Sequence, residues 1–373
     1  MASQRGCLTI PGTCGSGERS LTVAALEPSA STAIPERICG WTHGRKMQGM
    51  KETKGFPRSG GRTRRQVLAA MAAGTGAFGK SRYGPRIVSN VTIWVQEFAR
   101  RKQKDPAAGE DWEEAFGAIR AAGYRRVELL PQMVQGGRRD ETARLLKKYG
   151  LLFNDVYFVG PMYSEEGAEK TIAGAIEMAR RVAEFKTPIL LFEMSTKPGR
   201  ARPEDEELRI EARSLDRLGR AMQAHGMRIA VHNHTTPMKE GAREWLYVLR
   251  NTDPKLVSFC LDLDWSWQAG TDPLPLLYEA GEQGRLAMIH LRTQKQRVWT
   301  EALEDGGDID FRKVAAFFRR TGFDGCLVVE IEYPYEELSA ELIPKTKITR
   351  TVAENIRVSR IWAERVFGVS AQA

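Results

Sequence analysis

Six short apolar stretches of the chain end in residues that can bind a cation or move a proton. They carry Glu128, Glu193, His232-Asn233-His234, Asp262-Leu263-Asp264-Trp265, His290-Leu291-Arg292 and Glu330-Ile331-Glu332. Side chains alternate along an extended strand, which predicts a shared face for His232 and His234, for Asp262 and Asp264, and for Glu330 and Glu332. Three of the five histidines lie at such ends, while His225 and His43 read as solvated bystanders. Imidazoles and carboxylates converging from neighbouring strands suit a divalent cation such as Mn²⁺, Co²⁺, Zn²⁺ or Mg²⁺. Taken singly, each residue is explained as well by a helix cap or a hydrogen bond at a rim. Four adjacent strands presenting such groups together point instead to a metal site.

Groups so far apart in sequence need a scaffold that brings strand ends to one place. After Pro85, short β-branched runs alternate with longer helical patterns, the signature of βα units around a parallel sheet. The pattern predicts strands over 87–94, 126–130, 153–158, 188–194, 228–234, 257–265, 286–292 and 326–333. Helices are expected over 112–122, 141–149, 170–185, 206–225 and 311–321, the last capped by Asp310, with a closing helix over 349–367. Eight such repeats favour an α/β fold closed as a (β/α)₈ TIM barrel over 86–368, in which catalytic groups gather at the C-terminal strand ends. No Gly-x-Gly-x-x-Gly follows the first strand, which counts against dinucleotide binding.

The run Val257-Ser258-Phe259-Cys260-Leu261-Asp262-Leu263-Asp264-Trp265, with Ala269-Gly270 after it, resembles the sixth strand of xylose isomerase-like TIM barrels. Ile289-His290-Leu291-Arg292, then Trp299-Thr300-Glu301 and Gly306-Gly307-Asp308-Ile309-Asp310-Phe311, resembles their seventh strand and its glycine-rich loop. Leu327-Val328-Val329-Glu330 is similar to their eighth. The resemblance is to the sugar phosphate isomerase/epimerase superfamily, in its inosose dehydratase-like or His-Asn-His subgroup. It implies a divalent metal held by residues of strands five to eight, which here are Asp262, His290 and Glu330. Where the family commonly has a fifth-strand Glu, Ile229-Ala230-Val231-His232 places a histidine. His232 is therefore the expected fourth ligand, with His234 beside it to contact substrate or to replace it.

The chemistry so implied begins with a metal that polarises a carbonyl and acidifies the neighbouring C–H. A carboxylate such as Glu330 removes that proton, with His234 and Glu193 as further acid–base groups. Reprotonation gives epimers or isomers; loss of a β-leaving group gives dehydration or lysis. Without the fifth-strand Glu, the two-carboxylate epimerase arrangement is weakened and elimination is strengthened. Lys197, Arg292 and Lys295 are candidates to hold substrate oxygens, and Trp94, Trp265 and Trp299 to form apolar walls against a sugar face. The expected ligand is a sugar or keto-sugar, and the resemblance also implies a homo-oligomer. A non-catalytic exported sugar-binding barrel is the alternative.

The chain has 373 residues, 42% hydrophobic and 28% charged, enough for a sizeable core. Its net charge of +9 suggests a nucleic-acid partner until the charge is located. Residues 1–85 hold 13 Lys/Arg against 4 Asp/Glu, and the remaining 43 basic and 43 acidic residues cancel. A nucleic-acid binder keeps its surplus on its own surface, so neither nucleic acid in general nor a DNA-repair endonuclease of the same superfamily fits. Three of five cysteines (Cys7, Cys14, Cys39) lie in the basic segment, and Cys260 and Cys326 read as buried small hydrophobes.

Residues 1–61 read as a disordered extension or as a product of an early start codon, with Met47 and Met50 as alternatives. Over 62–85, Thr63-Arg64-Arg65-Gln66-Val67-Leu68 precedes the small-residue apolar run 69–78, the layout of a twin-arginine export signal. The expected location is the periplasm, with no membrane anchor after processing, or the cytoplasm if the segment does not function.

Overall fold

The computed structural model describes residues 83–200, 202–333 and 348–372. The extension over 1–61 and nearly all of the signal segment over 62–85 lie outside the described residues. The strands run in chain order as β1 (Arg86–Asn90), β2 (Arg126–Leu129), β3 (Leu152–Gly160), β4 (Ile189–Met194) and β5 (Arg228–His232). There follow β6 (Val257–Asp262), β7 (Leu286–Leu291), the hairpin of β8 (Gln294–Lys295) and β9 (Val298–Trp299), and β10 (Cys326–Val329). All except the hairpin form a closed parallel barrel, β10 pairing with both β7 and β1.

Two apolar layers hold the barrel. Val88, Leu191, Ala230, Cys260, Met288 and Val328 fill its interior. A larger shell, including Phe116, Leu215, Trp245 and Phe318, packs helices against the outside of the strands. Helix α9 (Phe311–Thr321) shows how local sequence builds that shell. Phe311, Val314, Ala315 and Phe318 recur at helical spacing and are buried, each large side chain contributing about 1.5–3 kcal/mol. The Asp310 carboxylate accepts from the Arg312 and Lys313 amides at 3.0 and 3.3 Å, the expected cap. Gly322 ends the helix at φ 73°, which glycine adopts without Cβ strain.

The predicted strands at β1, β5, β6 and β10 run too far. At β1 and β6 a short polar side chain closes back onto a following amide and turns the chain into helix. Asn90 Oδ1 accepts from the Thr92 amide at 2.5 Å, starting α1 (Thr92–Lys104) and putting Trp94 on a helix. The Asp262 carboxylate accepts from the Trp265 amide at 2.9 Å, so Asp264 and Trp265 belong to α7 (Leu263–Gln268). His234 is the N-cap residue of α6 (Thr235–Asn251), a segment broken at 239–242 where Glu240, Gly241 and Ala242 take left-handed φ values. β10 stops at Val329, and Glu330 keeps one further ladder bond, from its amide to the Leu291 carbonyl at 3.2 Å. No helix among the described residues is long and apolar enough to cross a membrane.

Candidate metal centre

Strand register sets the site. Glu193 lies beside His232, and Asp262 beside His290, each at the C-terminal end of its strand. One ligand atom from each of His232, Asp262, His290 and Glu330 falls within 4.8 Å of all the others, and all four residues are buried. The histidine rings of 232 and 290 have centroids 4.6 Å apart.

The donors divide into satisfied and unsatisfied atoms. His290 Nδ1 is 2.7 Å from Glu330 Oε2, and its Nε2 is 3.2 Å from Glu128 Oε2. Glu128 also accepts from the Asn90 side-chain amide at 2.6 Å. Both ring nitrogens of His232 and Oδ2 of Asp262 are buried with no hydrogen-bond partner among the described residues. Unpaired buried polar atoms cost about 1–3 kcal/mol each, so a bare histidine nitrogen and a bare carboxylate oxygen within 4.8 Å of each other mark a place for something that both can bind. Two neutral-capable imidazoles and two carboxylates are the donors a divalent ion takes, and these residues fit one.

Charge agrees with this division. Burial, then the charges of His290 and His234, push His232 down to about 3, which favours the neutral ring with one nitrogen lone pair free. Burial opposes ionisation of Glu330, but His290 and Arg292 outweigh it and hold that carboxyl well below its usual range. Burial raises Asp262 to about 6 against the pull of Arg292. Arg292 itself is 1% exposed, with Nη2 3.0 Å from Glu330 and 3.5 Å from Glu332, and Nη1 3.7 Å from Asp264. Its guanidinium lies 4.2 Å from the Trp299 ring centre and 5.3 Å from that of Trp265, so both rings of an edge-to-face aromatic pair lie within cation–π range of the charge.

A second acid–base pair stands nearer solvent. His234 Nδ1 is 2.9 Å from Glu193 Oε1, and the His234 side chain is 45% exposed against 2% for His232. Burial works against charge on His234, but Glu193 overrides it and raises the imidazole. Asn233, between the two histidines, donates to the Asp262 carbonyl and accepts from the Asp262 amide, both at 3.0 Å.

The model of the xylose isomerase-like TIM barrel family matches residues 116–357. The chain belongs to that family. Inosose dehydratase from Salmonella typhimurium is 27% identical over 145 residues, 34% of this chain and 48% of that protein. The chain thus spans about half the length of the curated relatives it matches. A sugar phosphate isomerase/epimerase from Parabacteroides distasonis superposes with a TM-score of 0.57 at 18% identity, covering 79% of this chain and 97% of its own. The zinc-bound IOLI protein gives 0.57 at 12%, covering 76% and 98%.

In this xylose isomerase-like barrel, the expected set His232, Asp262, His290 and Glu330 comes together, with His234 and Glu193 alongside. Trp265 and Trp299 flank Arg292 as an aromatic pair, ring centres 5.4 Å apart. Trp94 is different: it is buried on α1 against Phe98, its ring centre 6.1 Å from that neighbour. Lys197 is paired with Glu207 at 2.7 Å and Lys295 with Glu304, so both charges are engaged away from the cluster. Two supporting residues had no assigned role in the sequence reading. Glu128 stood out only as a strand-end acid, and Asn90 not at all, although a polar residue just before a helix start was its available signal.

Proposed function

We propose that this barrel is a divalent-metal-dependent enzyme acting on a sugar or keto-sugar by proton abstraction next to a carbonyl, with dehydration as the favoured outcome. His232, Asp262, His290 and Glu330 would hold the ion. When bound, it supplies Lewis acidity to a substrate carbonyl. Glu330, kept anionic by His290 and Arg292, takes the proton from the adjacent carbon. His234, kept basic by Glu193, then delivers a proton to the departing oxygen. Trp265 and Trp299 form an apolar wall, and the Arg292 charge beside them attracts substrate oxygens. Sugar-processing names among the relatives and a zinc ion in one structural neighbour support the same class.

The observation that carries the reading is His232: a buried imidazole with neither nitrogen hydrogen-bonded among the described residues, where a second carboxylate would otherwise flank the substrate. One side of the substrate then meets Glu330 and the other meets histidine, which suits elimination better than proton return. The test is metal analysis of the purified protein, followed by incubation with a panel of keto-inositols and ketoses in D₂O. A metal-dependent loss of water from one of them is expected. Bound sugar without deuterium exchange or turnover would favour the non-catalytic binder instead.

We also propose export of the chain through the twin-arginine pattern at Arg64-Arg65. A reporter fused behind residues 1–85 should reach the periplasm, and Arg64→Lys with Arg65→Lys should retain it in the cytoplasm.

A further inference from the structure

At the opposite mouth of the barrel, the first residues of β1, β2 and β5 are all arginines. Arg86, Arg126 and Arg228 line a cavity of about 430 Å³ together with Asn154, Gln223 and Cys326. No carboxylate lines it, and none of the three guanidiniums has an ion pair or side-chain hydrogen bond among the described residues. The nearest acid in sequence to its floor, Asp155, is fully buried and does not line it: its carboxylate accepts from the Asn154 side-chain amide at 2.6 Å and interacts with Glu128.

Converging like charges without a counter-ion are costly, most of all where one is withdrawn from water. Arg126 is such a case. Its Nε is buried with no partner, and burial, followed by the Arg86 charge, holds the guanidinium below its usual range. Strand register gives the reason it stays there, because β2 must place Glu128 two residues on, against His290. A planar fork with unused donors matches a phosphate or carboxylate, and phosphate offers enough oxygens for more than one arginine. The cavity has the size of a small-ligand pocket, about 300–1,000 Å³, and exceeds what one inorganic ion fills.

We infer that the N-terminal mouth of the barrel is a binding site for a phosphate dianion, free or carried by a small phosphorylated metabolite, held by Arg86, Arg126 and Arg228. It lies at the other end of the barrel from the metal centre and does not depend on it.

Calorimetric titration of the metal-free full chain at low salt would test this, with inorganic phosphate, glucose 6-phosphate and glucose as separate titrants. Saturable binding of at least one phosphorylated titrant and none of glucose is expected. Tighter binding of the ester points to a metabolite, and equal or exclusive binding of inorganic phosphate points to the free ion. R126Q should weaken binding about tenfold or more, because each charge-assisted hydrogen bond contributes on that scale. If R126Q does not fold by circular dichroism, the R86Q/R228Q pair, nearer solvent, decides the matter with the same expected loss. No heat from either anion, or an affinity unchanged in the variants that fold, would overturn the inference.

Discussion

His232 enters the barrel interior without a hydrogen bond to either nitrogen, and Asp262 leaves one oxygen equally bare. An ion that satisfies both atoms should stabilise the protein on binding by mass action. His232→Ala is expected to weaken metal affinity by at least about 100-fold, read by competition against a chelating dye. Glu128→Gln should cost about 10–100-fold, since Glu128 holds the far nitrogen of His290 and so directs the near one at the cluster. His234→Asn should leave metal content unchanged while lowering turnover by about 10²–10⁴-fold; an equal loss of metal would remove its role as proton carrier. At this scale, the four cluster residues were legible because type and strand-end place coincide. Glu128 and Asn90 were not, because the partner each finds across the ring, His290 on β7 for Glu128 and Glu330 just beyond β10 for Asn90, comes near only when the sheet closes. Trp94 misled for a local reason, the Asn90 turn that ends β1 early.

Between elements, Asn233 stitches the end of β5 to β6 through both its amide groups, and thereby fixes the strand that carries Asp262. Asn233→Ala should destabilise the protein by about 1–3 kcal/mol in denaturant titration, and loosen metal binding with it. Helices α5 (Asp205–Gln223) and α6 carry a pair of acids, Glu211 buried and Glu244 half-buried. Burial, then the Glu244 charge, pushes Glu211 up to about 9, and burial raises Glu244. Each folded value lies above the unfolded one of 4.5, so the folded state binds the extra proton. The stabilisation is full below that unfolded value and is lost as pH rises toward about 9. Melting followed from about pH 5 to pH 9 should show a decline of about 1–3 kcal/mol in the wild type that Glu211→Gln largely abolishes. Eight strands and the closing order were readable from βα alternation. Helices α1, α6, α7 and α8 (Pro273–Glu282) were not, because three of them start inside runs that look extended until a polar side chain turns them, or are broken midway.

For the whole molecule, the location of charge matters more than its total. The barrel sums to zero, so the chain without residues 1–85 should show no mobility shift of duplex DNA at physiological salt, where even about six phosphate contacts would register. Net charge alone points the other way, and this expectation rests on where along the chain that charge lies. The far ends of the barrel also meet: the Tyr83 hydroxyl donates to the Phe367 carbonyl at 2.5 Å. Meanwhile the Gln96 side chain brackets Tyr333 through its amide and carbonyl, and Glu301 accepts from the Thr349 and Arg350 amides at 2.7 and 3.1 Å. Each flank of residues 334–347 thus has anchors of its own, with a further bond between the flanks from the Asn355 side-chain amide to the Tyr333 hydroxyl at 3.4 Å. The barrel is consequently suited to circular permutation, with Phe367 linked to Tyr83 and new termini opened between Tyr333 and Ile348. Such a rewired chain should fold and bind metal as the parent does, which would make it a ring with a movable beginning.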